Sequence, residues 1–200
     1  MKKNDEGKPR LTGDVARKMI VAAAARVIAV NGIGGLRVRQ VADEAGMHHA
    51  SMLHHYSSRE EIMVAVAQSI VDRFRTATWT IVEQHNPAEE AVLTHVNHIL
   101  SEMESDPAKF IVLTEIFAES KRNESLQRLL SPFEREWVDA IVKMLMLGQS
   151  CKTSNLATRT AEAIVALVKG LGLSCTLDRA CVTNATRTLV KSFLEESKRK

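Results

Sequence analysis

Cysteine, proline, glycine and aromatic residues are all scarce in this 200-residue chain, and each scarcity excludes something. The three cysteines, Cys151, Cys175 and Cys181, are odd in number and lack C-x-x-C spacing, so they define neither a disulfide framework nor a zinc motif. A reducing cytoplasm fits them best. Four prolines and nine glycines leave few breaks among plentiful Ala, Leu, Glu, Lys, Arg and Met, which are strong helix formers. No apolar run approaches the roughly 18 residues of a membrane span, and no apolar stretch follows "MKKNDEGKPR" as in a signal peptide. The expectation is an all-α, soluble, cytoplasmic protein with no membrane partner.

What is present is ordinary in bulk and uneven in distribution. Hydrophobic residues make up 45% and charged residues 26%, too apolar a balance for a disordered chain. The net charge is only +3, but residues 1–42 hold nine Lys or Arg against three acids, which leaves the remainder acidic. A basic end on a mildly acidic body points to an anionic partner for the N-terminal part, nucleic acid ahead of a membrane.

The pattern there is helix, turn, helix. In "TGDVARKMIVAAAARVIAVNG", Thr12 or Asp14 offers an N-cap, and Ile20, Ala23, Ala24, Val27 and Ile28 fall on one helical face before Asn31-Gly32 stops it. "LRVRQVADEAG" repeats the pattern over a shorter helix that Gly46 ends. "AGMHHASMLHHY" follows, and then "SSREEIMVAVAQSIVDRF", where Ser57 or Ser58 caps a long helix. A glycine-linked helix pair of this spacing is a helix-turn-helix, whose second helix enters the DNA major groove.

Four of the seven histidines, His48, His49, His54 and His55, crowd into this stretch. Metal binding on one helix needs ligands three or four residues apart, and no pair among these four has that separation. No nucleophile or H-E-x-x-H arrangement accompanies them, so catalysis is not expected either. If Met47 and Met52 face inward, then His48, His49, Ser51 and His55 face outward, where imidazoles can donate to phosphate oxygens or guanine acceptors.

The span from Ala16 to Ala67 resembles the DNA-binding domain of the TetR family of transcriptional regulators. The Ile20-to-Gly32 helix, "VRQVADEAGM", "HHASMLHHY" and "SSREEI" carry the likeness over about fifty residues in one register. Arg37 departs from the usual Ser or Thr cap and His48-His49 from a commoner Ser-Lys, so no relative's operator can be borrowed. The alternation points His48 and His49 toward DNA, and the resemblance implies contacts from Ala50, Ser51, Leu53 and His55 on the recognition helix. It adds Arg37, Arg39 and Gln40 from the helix before it, and Arg59 as a phosphate-binding cation. His54 and Tyr56 are assigned partly structural roles.

Beyond residue 70, breaks at 85–90, 105–108, 121–125, 148–155 and 171–178 divide the chain into five further helices, begun at Asn86 or Pro87, Asp106-Pro107, Asn123, Ser154 or Asn155, and Asp178. The organisation expected is a flexible basic arm over 1–11, a three-helix DNA-binding domain over 12–60, and a helical ligand-binding and dimerisation domain over 61–200. By resemblance, the last two helices pair with their copies in a homodimer. Ile164, Val165, Leu167, Val168, Leu171, Leu189, Val190, Phe193 and Leu194 provide their apolar faces, though an intramolecular core would use the same residues.

Trp79, His95, His98, Met103, Phe117 and Trp137, with Phe110 and Met144 nearby in sequence, are candidates for a cavity that takes a largely apolar small-molecule effector. His95 and His98 stand three apart with Glu102 beyond, which leaves a metal-dependent helical enzyme as one alternative and a protein-interaction adaptor as another. The favoured reading is a DNA-binding repressor that needs no cofactor and no resident metal, released from a palindromic double-stranded operator by its effector.

Overall fold

The computed structural model describes residues 13–84, 88–147 and 153–171, together with 184–185, 188–189, 191–192 and 195. Of these, 78–84, 88–90 and 171 are described by their backbone alone. The regular structure among the described residues is helical. The chain divides into two compact units between Val66 and Ala67. The expected basic arm, Thr12 as a cap, and the helix starts at Asn86 or Pro87 and at Asp178 fall outside the described residues.

In the first unit, α1 (Gly13–Asn31) buries Ala16, Ile20, Ala23, Ala24, Val27 and Ile28, the face its spacing implies. Asp14 does not cap it but lies inside its first turn. Gly32 ends it with φ 67, a left-handed backbone that only glycine adopts without strain, while its N–H reaches Ile28 O at 2.8 Å. A short 3-10 turn, Ile33–Gly35, then buries Ile33, and Leu36 is buried after it.

Helix α2 (Val38–Glu44) turns Val41 and Ala42 inward. It ends in a Schellman motif: Gly46, at φ 64, donates to Asp43 O, and Met47 donates to Ala42 O. These two bonds satisfy carbonyls the helix end would leave unpaired and set the direction of α3 (His49–Leu53), which buries Met52 alone. Arg26 on α1 pairs with Glu44 at the end of α2 at 2.6 Å.

The long α4 (Arg59–Gln84) begins at a variant capping box. Ser58 Oγ accepts from the Glu61 N–H, and the Glu61 carboxylate accepts from both the N–H and the hydroxyl of Ser57. Those bonds hold the Glu61 carboxyl below its ordinary range. Ile62, Met63 and Val66 on its first turns are buried.

The second unit contains α5 (Ala88–Ser105), α6 (Pro107–Ser120), α7 (Glu124–Leu147) and α8 (Ser154–Leu171). Asp106 caps α6 by accepting from the Lys109 N–H, with Pro107 at the position where its missing donor costs nothing. Asn123 caps α7 through the Leu126 N–H, and Thr153 caps α8 through the Leu156 N–H, so that α8 starts at Ser154, one of the two starts expected. Its core joins Val92, Val96, Ile99 and Leu100 of α5, Trp137, Ile141, Met144 and Leu145 of α7, and Ala157, Ala161, Ile164, Val165 and Val168 of α8.

Three residues expected on an apolar dimer face, Ile164, Val165 and Val168, therefore serve the unit's own core, with Leu167 packed against it. Leu189 is exposed, whereas the side chains of Leu171, Val190, Phe193 and Leu194 are not described.

Candidate nucleic-acid interface and buried effector site

A five-residue helix can present few side chains, and α3 presents nearly all of its own to solvent. His49, Ala50, Ser51 and Leu53 are exposed around the buried Met52, and His48, at the N-cap position, is exposed with no side-chain capping bond. The small Ala50 and Ser51 let the backbone come close to a groove, and the exposed Leu53 suits the methyl group of thymine. Arg37 and Arg39 are exposed on and beside α2, and Gln40 is half-buried there. Arg37 stands at the N-cap of α2 without capping it through its side chain.

Four residues differ from expectation. Arg59, expected as a phosphate-binding cation, donates its Nε to Leu36 O at 2.9 Å and an Nη to Ile33 O at 2.6 Å. It ties the start of α4 to the turn before α2, because the planar guanidinium fork can reach both carbonyls at once. His55 and Met47 are half-buried, the first less outward and the second less inward than expected. His54, expected to be partly structural, is exposed at the end of α3. Tyr56 is buried as a structural residue should be, and burial pushes its phenol up from the usual range while the Arg17 guanidinium, 5.4 Å from the ring centre, opposes that shift. Arg17 does not stand out in the sequence, because a charge count gives it no position relative to the ring.

In the second unit, His95 and His98 do not converge. His98 is exposed, whereas His95 is 1% exposed. Trp137 donates its indole N–H to His95 Nε2 at 2.9 Å, and His95 Nδ1 is buried with no hydrogen-bond partner. Burial, with a smaller contribution from the His98 charge, lowers the His95 pKa to about 4, so the ring is neutral at physiological pH. No group of three or more His, Cys, Asp or Glu that could hold a metal ion occurs among the described residues.

Around this pair stand two rings, Phe74 and Phe133, that sequence reasoning missed. Phe74 meets His95, Phe133 and Trp137 edge-on at centroid distances of 5.7, 5.3 and 4.7 Å. Phe133 lies over Trp137 at 6.3 Å. The one available signal was rarity: aromatic residues make up 4% of the chain, and several of them meet here. Met103 and Phe110 are partly buried against the same core, and Met144 lies within it. Phe117 is half-buried beneath the Lys169 ammonium, 4.9 Å from its ring centre, and Lys169 also pairs with Glu134. The Trp79 side chain lies outside the described residues.

Comparison with known proteins bears on both sites. Residues 20–66 match the model of bacterial regulatory proteins of the tetR family, and residues 88–197 match that of the BetI-type transcriptional repressor C-terminal region. The chain belongs to the TetR family. This TetR-family protein is a transcriptional regulator rather than an enzyme, which disposes of the catalytic alternative for His95 and His98.

It is 28% identical over 160 residues to the HTH-type transcriptional regulator BetI of Agrobacterium fabrum, an alignment that covers 78% of this chain and 74% of the relative. To the regulator of the same name from Rhizobium meliloti it is 24% identical over 169 residues, covering 84% and 82%. A transcriptional regulator from Saccharomonospora viridis, solved in complex with choline, superposes with a TM-score of 0.74 at 22% identity over 90% of this chain and 95% of that one. At that identity the superposition bears on the fold of the TetR-family chain.

Proposed function

We propose that the protein is a homodimeric repressor that binds a palindromic operator through α3 and is released from it by a small molecule bound in the second unit. The observation that carries the DNA reading is the outward display of His48, His49, Ala50, Ser51 and Leu53 around a single buried anchor, Met52, beside exposed Arg37 and Arg39. Arginine and histidine donors suit phosphate oxygens and the N7 and O6 edges of guanine. Arg59 is left out of the proposed contact set, because its guanidinium is engaged with Leu36 and Ile33. The proposed division is a basic arm over 1–11, a DNA-binding domain to about residue 60, and a regulatory domain beyond.

Dimerisation is proposed because a single helix-turn-helix reads half a site and two-fold pairing doubles it. Exposed Ala163, Ala166 and Gly170 on α8, together with the exposed Leu189, support the last two helices as the surface through which two copies meet.

For the effector, the proposal moves from a largely apolar molecule to one of choline's kind. The BetI-type match and the choline complex of the Saccharomonospora viridis neighbour favour it. So do rings that meet edge to face, whose faces can attract a methylated ammonium.

The decisive experiment is selection of bound sequences from random duplex DNA by the full chain, repeated with Arg39→Ala and His49→Ala at fixed salt. A palindrome whose affinity falls roughly tenfold in each variant, and which choline releases, is the expected result. No enriched sequence from a folded protein would sink the operator reading and favour the adaptor.

A further inference from the structure

We propose that His95 recognises the oxygen of the effector: its Nδ1–H donates to the uncharged hydroxyl or carbonyl oxygen of a small quaternary ammonium compound. The inference rests on the choline-type reading above and adds the residue that selects the polar end of the ligand.

The tautomer follows from the partner. An indole nitrogen donates and cannot accept, so the 2.9 Å bond from Trp137 Nε1 requires a lone pair on His95 Nε2. A neutral ring then carries its proton on Nδ1. That N–H is buried, and it has no hydrogen-bond partner. Buried donors are nearly always paired, because leaving one without an acceptor forfeits its hydration for nothing. An acceptor brought by a ligand removes the deficit, whereas a ligand without one leaves it in place. Binding at this donor is therefore selective by chemistry as well as by shape.

The surroundings narrow the acceptor. The polar or charged residues buried among the described ones are His95, Ser120 and Thr160, and Ser120 already donates to Phe117 O. No buried cation is among them to neutralise a carboxylate, and no buried carboxylate to pair with an ammonium. An uncharged oxygen matches the neutral imidazole, and a methylated ammonium can be met by the faces of Phe74, Phe133 and Trp137. Trp137 acts here as a positioning residue, holding the ring in the tautomer that leaves Nδ1–H toward the ligand.

The test is a pair of probes differing by one oxygen, choline and ethyltrimethylammonium, titrated calorimetrically into the full-length protein and into His95→Leu and His95→Gln. The native protein is expected to prefer choline about fivefold, the value of one ordinary hydrogen bond. His95→Leu is expected to bring the ratio close to one, and His95→Gln, which restores an N–H donor, to recover at least half of the preference. In the native protein labelled with nitrogen-15 at histidine, the His95 Nδ1–H resonance is expected to move with choline and to stay put with ethyltrimethylammonium. That reading stands even if His95→Leu does not fold.

Equal affinity of the two probes for the native protein, a preference that survives His95→Leu, a Gln variant no better than Leu, or an unmoved Nδ1–H resonance would each overturn the inference while leaving a choline-type effector intact. Failure of both probes to bind at millimolar concentration would overturn the choline-type reading and the inference together.

Discussion

The two units of this regulator carry their chemistry in opposite places. In the first, the polar side chains that matter stand in water around a small buried core, and the fold's task is to hold a five-residue helix at the right angle. In the second, the informative polar group is a single imidazole inside the core, hydrogen-bonded on one nitrogen and open on the other. An exposed donor costs nothing while it waits for a ligand, because water satisfies it. A buried one destabilises the unliganded state and is tolerated where binding repays it.

That difference predicts a pH dependence from the buried imidazole of the second unit, and it is the largest effect expected. The His95 pKa is about 4 in the folded chain against an ordinary value of 6.5. Between those values the unfolded chain binds a proton that the folded chain refuses, so stability rises with pH across that interval. The contribution is fully present above about pH 6.5 and is lost as the pH falls toward 4. Its size is on the order of 3 kcal/mol, because each pH unit between the two values is worth about 1.4 kcal/mol. Urea unfolding followed by Trp fluorescence at pH 7 and pH 5 should show about 2 kcal/mol of it, and His95→Leu should flatten that part of the profile. A native profile as flat as the variant's would remove the contrast between the units.

The contrast also explains what could be read from the sequence. Helix-turn-helix order, the stop at Gly32, the turn at Gly46 and the cap at Ser58 were legible because local chemistry dictates each: a left-handed φ needs glycine, and an unpaired helix N–H needs an oxygen. Exposure around Met52 followed from the same periodicity. The role of Arg59 was not legible because its partners, Leu36 O and Ile33 O, are backbone atoms more than twenty residues away, and nothing in a sequence marks a carbonyl as available. His95 and His98 look like a pair in sequence because three residues is less than one helical turn, yet one lies inside the core and the other in solvent. Which side of that boundary each occupies depends on α7, whose Trp137 lies 42 residues further along.

Arg59 offers a second test of intermediate size. Arg59→Ala removes two charge-assisted hydrogen bonds that join the start of α4 to the turn before α2, and about 2 kcal/mol of stability should go with them. Arg59→Lys should recover less than half, because one ammonium cannot reproduce the fork. Thermal unfolding measures the loss, and DNA affinity taken at a temperature where the variant is fully folded separates the two roles. Affinity within threefold of native, with an unchanged salt slope, is expected for a residue that organises the reading surface. A slope reduced by about one with unchanged stability would return Arg59 to the phosphate contacts.

The smallest effect should come from the ion pair that joins α1 to the end of α2. Arg26 Nε lies 2.6 Å from Glu44 Oε1, a short distance that by itself suggests a strong interaction. Exposure decides otherwise: the two side chains are 57% and 42% exposed, so water screens the pair and holding both side chains in place offsets much of the attraction. Arg26→Ala should cost no more than about 0.5 kcal/mol, and 0.5 M salt should erase most of that. A double-mutant cycle with Glu44→Ala measures the coupling. A coupling above about 1.5 kcal/mol would mean that the reading head is held together at its surface, and the division between a wet first unit and a dry second one would have to be redrawn. A value near zero leaves the joining of α1 to α2 to apolar burial, of which Ile20, Ala24, Ile28, Val41 and Ala42 are part, and which charge screening by salt does not weaken.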